Sequence, residues 1–195
     1  MILYFDTETT GLHPGQICQL SYVLQTKEKV VCKNFFFAVD YVEPTAQMVH
    51  GFSKQKLEML SNGKTFSDYF DQINADFESA DLVVAHNVAF DFSFMRAEYE
   101  RLNQVFRVKN EFCSMKKTTP ICCLMRTNSK GYKYPKLQEL CAFLGISDCE
   151  IQKIASDFYG ADIGFHDARF DTTALYLCVN KCIQKDIFGE LNNYL

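Results

Sequence analysis

The first part of the chain consists of short apolar runs separated by polar turns. Residues 2–5 form an apolar run that ends at Asp6, a pattern typical of a buried strand with a carboxylate at its carboxyl end. Glycine and proline within residues 9–15 predict a loop after this strand. Residues 17–25 and 30–39 predict two more strands joined by a charged turn, and three strands in succession indicate an antiparallel meander.

Beyond Ser53 the apolar positions repeat mainly at helical spacing. Ser53 can cap a helix that ends near Leu60, and Thr65 or Ser67 can begin a second helix that ends near Phe77. The remaining pattern predicts strands at 82–85 and 112–114 and helices from 88 to about 102, over 115–125 and 136–144, and from about 166 to 185. Gly145 lies where a C-terminal cap is expected.

Strands first, followed by alternating strands and helices, predict an α/β fold in which helices pack on the faces of a mixed sheet. With 195 residues, 48% of them hydrophobic, the chain can bury a full-sized core. No repeat or linker interrupts the pattern, so residues 1–195 are expected to form a single domain.

The N-terminus lacks the basic start and apolar region of a secretory signal, and no apolar run approaches the roughly 18 residues of a membrane span. The nine cysteines form no C-x-x-C pair. Cys178 and Cys182 are spaced to share a metal on a helix, but no further pair completes such a site. The cysteines therefore indicate core thiols in a reducing, cytoplasmic compartment.

Charge is distributed unevenly along the chain. The net charge of −4 is unusual for a protein that binds nucleic acid tightly. Residues 109–136, however, contain seven basic residues and one acid, so this segment carries +6 and the remainder −10. The segment is either a solvated loop or a phosphate-binding patch beside an acidic metal site.

Asp6 and Glu8 form the first candidate chemical element. Residues two apart in a strand point to the same face, so these carboxylates project together and repel each other unless a cation lies between them. Hard divalent cations such as Mg²⁺ take oxygen ligands of this kind. The alternative is a pair of solvent-facing acids at a strand end.

Asp91, His166 and Asp171 form two further candidate elements. Asp91 lies in the first turns of a helix after a buried strand, where the helix dipole alone can stabilise an acid. His166 and Asp171 are five residues apart, so both face one site only if His166 precedes the last helix or lies at its frayed start. Gly164 allows a mobile loop there. A surface or capping role is the alternative for His166.

Together these elements resemble the DEDDh branch of the DnaQ-like 3′–5′ exonucleases, which includes proofreading epsilon-type subunits of DNA polymerases, ribonuclease T and oligoribonuclease. The chain carries D-x-E at Asp6 and Glu8, A-H-N-x-x-F-D ending at Asp91, and H-x-A-x-x-D from His166 to Asp171. The aspartates are spaced 85 and 80 residues apart, as is typical of the family. Residues 50–52 and 135–140 match smaller family segments, so the resemblance spans nearly the whole chain.

The resemblance implies a ribonuclease-H-like fold, with helices on both faces of a mixed five-stranded sheet, and two bound cations, Mg²⁺ or in its place Mn²⁺. By position, Asp6, Glu8 and Asp171 would hold one cation, and Asp6 with the scissile phosphate the second. Asp91 would act through water. Two cations stabilise the attacking and leaving oxygens of an in-line displacement. His166 would be the general base, and the product would be a 5′-mononucleotide.

The resemblance also implies a set of substrate-binding residues: Thr10, Gly11, Leu12, Phe52, His86, Asn87 and Phe90. The backbone around Gly11 is expected to meet the terminal 3′-hydroxyl, and Leu12 to wedge against the last base. Phe52 and Phe90 can stack on bases, a contact that suits single strands, or they can pack in the core.

One departure from the family pattern is Gln19, where many relatives have glutamate. Because Gln19 lies outside the expected ligands, no effect on the chemistry is expected. The chain ends ten residues after Lys185 without the polymerase-binding segment of bacterial proofreading subunits, which favours a stand-alone nuclease, although the family allows a DNA polymerase as a partner.

The expected substrate is the 3′ end of single-stranded DNA, in proofreading or repair, and no membrane is involved. The alternatives are an RNA exonuclease of the ribonuclease T or oligoribonuclease type, because the sequence does not reveal how a 2′-hydroxyl would be sensed, and a non-catalytic nucleic-acid-binding module. Loss of a ligand would be the simplest sign of the latter, and all five candidate catalytic residues are present.

Overall fold

The computed structural model describes residues 1–127, 129–160, 163 and 166–195. A five-stranded mixed sheet has the order β3-β2-β1-β4-β5, with β1 at Ile2–Thr9, β2 at Ile17–Gln25, β3 at Val30–Phe36, β4 at Leu82–Ala85 and β5 at Glu111–Cys113. The first three strands pair in antiparallel fashion, and β4 and β5 run parallel to β1. The predicted meander and mixed sheet are confirmed, although β3 ends at Phe36 and not at 39.

Helices in the described ranges are α1 Pro44–His50, α2 Lys54–Ser61, α3 Phe66–Ser79, α4 Val88–Arg101, α5 Ser114–Cys122, α6 Leu137–Leu144, α7 Asp148–Tyr159 and α8 Ala168–Gln184, followed by a 3₁₀ helix at Gly189–Tyr194. The sequence pattern did not predict α1 or α7. Signals for α7 were nevertheless present, because Ser147 caps its first turn and Gly160 ends it with φ 66°.

Local sequence explains where several helices begin and end. Ser53 accepts the Lys56 N–H, as predicted. Thr65 begins α3 through a capping box with Asp68, whose carboxylate accepts the Thr65 N–H at 2.7 Å. Gly145 ends α6 in the left-handed region at φ 68°, where a side chain would be strained.

The side chains of β1 alternate between two core layers. Ile2 and Tyr4 pack with residues of α6, α7 and α8 on one face of the sheet, whereas Leu3 and Phe5 pack with residues of α3 and α4 on the other. Because the period of a strand is two residues, the same alternation directs Asp6 toward the α8 face. Helices on both faces therefore agree with the expected fold.

The cysteines are only partly core residues. Cys178 and Cys182 are buried, as predicted, and the Sγ atoms of Cys141 and Cys178 lie 3.4 Å apart. Cys123 and Cys149 are exposed, so the prediction of core thiols is wrong for these two. Within the described ranges, no helix is both long enough and apolar enough to span a bilayer.

Candidate active site

Asp6 and Glu8 lie at the carboxyl end of β1, in the middle of the sheet. They are two residues apart and therefore share one face. Across the antiparallel pairing with β2, Asp6 lies opposite Ser21 and Glu8 lies opposite Gln19. The register shifts between Glu8 and Thr9, and a bulge of this kind re-aims the side chains around it.

Asp171 joins these two residues from the first turn of α8. One carboxylate oxygen from each of Asp6, Glu8 and Asp171 lies within 4.8 Å of the others, and all three side chains are half-buried. Carboxylate oxygens at this spacing are the donor set of a hard divalent cation. The structure thus brings together three of the predicted metal ligands, one pair from β1 and one residue from α8.

Without a counter-charge, the ionised carboxylates of this cluster would repel one another. Burial, followed by repulsion from Asp171, raises the pKa of Glu8 to about 9. Burial and then repulsion from Asp167 raise the pKa of Asp171 to about 7. Burial is also the main cause that raises the pKa of Asp6 well above its usual range, with repulsion from Asp171 next. Loss of hydration and like charge both disfavour the ionised form, and the opposite charge of a bound cation would offset both penalties.

Asp91 lies apart from the three clustered carboxylates. It is 3% exposed, and its Oδ1 accepts a hydrogen bond from the Thr7 hydroxyl at 2.8 Å. Burial raises the pKa of Asp91 to about 7, although the Thr7 hydrogen bond opposes the shift. Repulsion from Asp91 contributes to the raised pKa of Asp6, so the two carboxylates are close enough to interact.

His166 lies immediately before α8, outside the helix. It is exposed, and its backbone is left-handed at φ 56°, which is uncommon for a residue with a side chain. Because His166 precedes the helix, its side chain and that of Asp171 can face the same site. Gly164, expected to loosen this segment, lies outside the described residues.

The start of α8 is attached to β2 by a group that the sequence analysis missed. Asp167 is the N-cap of α8 and is 9% exposed. Its carboxylate accepts from Gln19 Nε2 at 2.8 Å and from Arg169 Nε at 2.8 Å and Nη2 at 2.6 Å. Gln19 Oε1 accepts the Ala168 N–H at 3.1 Å. The departure from the family pattern at Gln19 was the signal in the sequence that pointed to this contact.

A pocket of about 240 Å³ opens beside Glu8. Its lining comes from the end of β1, the following loop, α1 and the start of α4: Thr7, Glu8, Thr9, Gly11, Leu12, Thr45, Ala46, Val49, His50 and Phe90. Leu12 is 76% exposed at the rim, and Phe90 is half-buried against Phe94, with ring centroids 5.0 Å apart. Gly11, Leu12 and Phe90 are therefore brought together, as a substrate site requires.

Thr10 is fixed by its neighbours just outside this pocket. Its hydroxyl accepts the Gln16 N–H at 3.0 Å, and its carbonyl accepts the Glu43 N–H at 2.9 Å. The threonine side chain thus shapes the loop that presents Gly11.

His50, a pocket residue that the sequence analysis did not select, supports the same loop. Its Nδ1 accepts the Phe52 N–H at 3.0 Å, which leaves the proton on Nε2 to donate to the Thr9 carbonyl at 3.2 Å. Burial lowers the pKa of His50, and repulsion from His166 adds to the shift.

Phe52, His86 and Asn87 do not line the pocket. Phe52 is 5% exposed in a small core cluster, which corrects the expectation that it offers a face to bases. The ring nitrogens of His86 lie 2.9 Å from the Ser114 hydroxyl and 2.9 Å from the Pro135 carbonyl. Asn87 begins α4 with φ 81°. His86 and Asn87 therefore shape the loop before Asp91.

The fold and the site define a ribonuclease-H-like nuclease, with a carboxylate cluster on the central strand of a mixed sheet. The family described as Exonuclease, of the RNase_T type, matches residues 3–176, and the chain belongs to this family of DnaQ-like 3′–5′ exonucleases. Two crystal structures of the Escherichia coli ExoI–ssDNA complex share the fold. The zinc-bound form has a TM-score of 0.70 at 18% identity, over 96% of this chain and 41% of that chain. The metal-free form has a TM-score of 0.66 at 19% identity, over 98% and 42%.

Curated relatives include the DNA polymerase III subunit epsilon of several bacteria. The Escherichia coli K12 subunit is 30% identical over 150 residues, which are 72% of this chain and 58% of that protein. The Pasteurella multocida subunit is 27% identical over 156 residues, which are 75% of this chain and 58% of that protein. The match thus spans less than two thirds of the length of these relatives.

Proposed function

We propose that this exonuclease removes 5′-mononucleotides from the 3′ end of single-stranded DNA, with two Mg²⁺ ions at the carboxylate cluster and His166 as general base. The observation that carries this proposal is the placement of Asp6, Glu8 and Asp171, with oxygens within 4.8 Å of one another, beside a pocket of about 240 Å³ that Glu8 helps to line. Residues 1–195 are proposed to act as a single exonuclease domain.

The carboxylates suit divalent cations because they supply oxygen ligands and because their negative charges lie close together. Asp6, Glu8 and Asp171 would be the shared ligands, and Asp91 is proposed as the fourth carboxylate of the site. When bound, two cations of this kind stabilise the attacking and leaving oxygens of an in-line phosphoryl displacement. Mn²⁺ is expected to replace Mg²⁺, since both accept carboxylate oxygens.

His166 would take the proton from the attacking water. An imidazole titrates near neutral pH and is therefore suited to general base catalysis. Its position directly before the helix that carries Asp171 supports this role.

The pocket would hold the terminal nucleotide. Leu12 and Phe90 supply apolar surface for the last base, and every base offers a π-face for such a contact. The backbone at Gly11, fixed through Thr9 Oγ1, which donates to the Gly11 carbonyl at 2.8 Å, would face the sugar and its 3′-hydroxyl. These contacts favour a frayed or single-stranded end over a paired one.

DNA is favoured over RNA because the relatives are DNA polymerase III epsilon subunits and the structural neighbours were solved with ssDNA. A DNA polymerase is a proposed partner on the same grounds. A pull-down with a replicative polymerase subunit would test this association separately from the chemistry.

The proposed function is tested by a gel time course on matched 5′-labelled single-stranded DNA and RNA, with Mg²⁺, Mn²⁺ or a chelator. We expect a metal-dependent ladder that shortens from the 3′ end, faster on DNA. Faster cleavage of RNA would select the ribonuclease alternative. Absence of cleavage of both by folded protein would overturn the proposal in favour of a binding module. Asp6→Asn, purified identically, controls for a contaminating nuclease.

A further inference from the structure

A basic hairpin, defined here as residues 123–127 and 129–136, lies between α5 and α6. Lys133 N donates to the Leu124 carbonyl at 2.8 Å and Arg126 N to the Gly131 carbonyl at 3.1 Å, and Met125 and Tyr132 form an antiparallel bridge between the two arms. Asn128 lies outside the described residues. The backbone bonds hold the side chains of the two arms in a defined arrangement.

The basic hairpin is fastened to the edge of the sheet where the carboxylate cluster lies. Because β1, β4 and β5 are parallel, their carboxyl ends meet at one edge. His86 follows β4 and connects this edge to the hairpin: one ring nitrogen is 2.9 Å from the Ser114 hydroxyl at the start of α5, and the other is 2.9 Å from the Pro135 carbonyl. The same loop leads into α4, which carries Asp91.

The charges of the basic hairpin suit an anionic partner. It contains four basic residues and no acid, whereas the chain as a whole carries −4. Lys133 is paired with Glu139. Arg126, Lys130 and Lys136 are exposed and form no ion pair among the described residues. The other basic residues of 109–136 are partly engaged, since Lys109 pairs with Asp81.

The basic hairpin also exposes large apolar surfaces between these charges. Tyr132 is 42% exposed, Tyr134 is 55% exposed and Met125 is 65% exposed. Exposed aromatic rings that alternate with cations are the chemistry by which proteins bind single-stranded nucleic acid, since the rings stack on bases and the cations contact phosphates. An acidic peptide would use the cations but would leave the tyrosine rings without a matching partner.

We propose that the basic hairpin is a second binding site, which holds the single strand several nucleotides to the 5′ side of the bond that is cleaved. Tyr132 and Tyr134 stack on bases, while Lys130 and Lys136 contact phosphates. The inference rests on the proposed function and extends it. The preferred substrate is a strand that is long enough to reach the basic hairpin. A dinucleotide, by contrast, occupies only the pocket beside Glu8.

The test compares variants on substrates of two lengths, a dinucleotide and an oligothymidylate of about 16 nucleotides, which is the upper end of the site sizes of single-strand-binding OB folds. Tyr132→Ala with Tyr134→Ala removes the rings, and Lys130→Gln with Lys136→Gln removes the charges. Lys27→Gln with Lys29→Gln is the matched control, because the β2–β3 turn lies at the opposite edge of the sheet, where Gln25 pairs with Ile2. Circular dichroism verifies the fold of each variant.

We expect each hairpin pair to raise KM for the long oligonucleotide about tenfold while kcat/KM for the dinucleotide stays within about twofold. The lysine pair should also lower the salt slope of binding by about 1.4, as expected for two lost phosphate contacts on a single strand. An unchanged KM for the long substrate, or equal losses on both lengths, would overturn the inference.

Fluorescence anisotropy in chelator measures binding of the same oligonucleotide without hydrolysis. If the unmodified protein cleaves nothing, the proposed function fails, and the anisotropy comparison still decides whether the basic hairpin binds single strands. Unchanged binding by both hairpin pairs, or an equal loss in the control pair, would refute the second site. Binding of an acidic polyglutamate with equal affinity would also count against it.

Discussion

Gln19 donates a hydrogen bond from Nε2 to Oδ1 of Asp167 at 2.8 Å, and this contact connects the strand beside the carboxylate cluster to the helix that completes it. Gln19 lies directly opposite Glu8 in the sheet. Its Nε2 also reaches Asn34, and its Oε1 accepts the Ala168 N–H. An amide can donate to a carboxylate and accept from a backbone N–H at the same time, whereas a glutamate at this position would add charge and lose the donor.

We therefore predict that Gln19→Glu lowers kcat by about tenfold or more and destabilises the fold by about 2 kcal/mol, because Asp167 loses a buried donor and faces a like charge. The measurements are kcat, Mn²⁺ affinity by titration calorimetry and urea unfolding. Gln25→Glu is the matched control: Gln25 donates to Asn180 at 2.9 Å at the far end of β2, so stability should fall there while activity per folded molecule remains.

Wild-type kcat and Mn²⁺ affinity in Gln19→Glu would contradict this role and would restore the simpler expectation that Gln19 has no effect on the chemistry. Rescue of kcat and of stability by a second change, Asp167→Asn, would support the electrostatic explanation, since the neutral amide removes the repulsion.

Asp6, Glu8, Asp91 and Asp171 could be selected from the sequence because each lies in a local pattern that also matches a family motif. The structure brings Asp6, Glu8 and Asp171 together, and the role of Asp91 as a further ligand stays a prediction. Asp6 and Glu8 follow from strand periodicity at the end of an apolar run, and Asp91 and Asp171 lie in the first turns of helices. Their motifs are recognisable without knowledge of the packing. By contrast, the Gln19–Asp167 hydrogen bond joins residues 148 positions apart, and nothing in either local segment indicates the other.

The surroundings of Phe52 and His86 show the same limit. Phe52 follows His50 in a family-like segment, but its ring packs against Phe36 with centroids 5.5 Å apart, so tertiary contacts decide its exposure. His86 is part of a matching motif, yet its ring is engaged by a residue that follows it by 49 positions. Long-range contacts of this kind are the part of the site that a single sequence does not reveal.

The carboxylate cluster should couple pH, metal binding and stability. In the unfolded chain these groups have pKa values of about 4, whereas the folded values are about 7 for Asp91 and Asp171 and about 9 for Glu8. Because the folded pKa values are raised, the stabilising contribution is fully present below pH of about 4 and is lost as pH rises to about 9.

Without metal, the contribution of these groups to the free energy of unfolding should therefore decline between about pH 5 and pH 9. Cations displace the retained protons, so Mg²⁺ should raise Tm more at about pH 8 than at about pH 6. Differential scanning fluorimetry with and without chelator measures both trends. Asp171→Asn should flatten them, and a Tm response to Mg²⁺ that is independent of pH in the unmodified protein would contradict the coupling.

Removal of a shared ligand should abolish hydrolysis without unfolding the domain. We predict that Asp6→Ala lowers activity to background and, in the absence of metal, slightly raises Tm near neutral pH, because the variant loses a buried carboxyl that is crowded by like charges. Asp76→Ala is a control for loss of an acid: Asp76 pairs with Lys33 at 2.6 Å, outside the cluster, so stability should fall and activity should persist. Retained activity in Asp6→Ala would refute the assignment of this site.

His166 should affect the rate of hydrolysis much more than the binding of metal. His166→Ala is predicted to lower kcat by roughly 10²–10⁴, the usual contribution of a general base, while Mn²⁺ affinity is largely kept, because the carboxylates supply the ligands. The variant should also lose the limb of the pH–rate profile that reports deprotonation of the base. His13→Ala, an exposed histidine in the loop after β1, should leave all three measurements unchanged. A collapse of Mn²⁺ affinity in His166→Ala would make this residue a ligand, and the proton of the attacking water would then have to go to another group of the site.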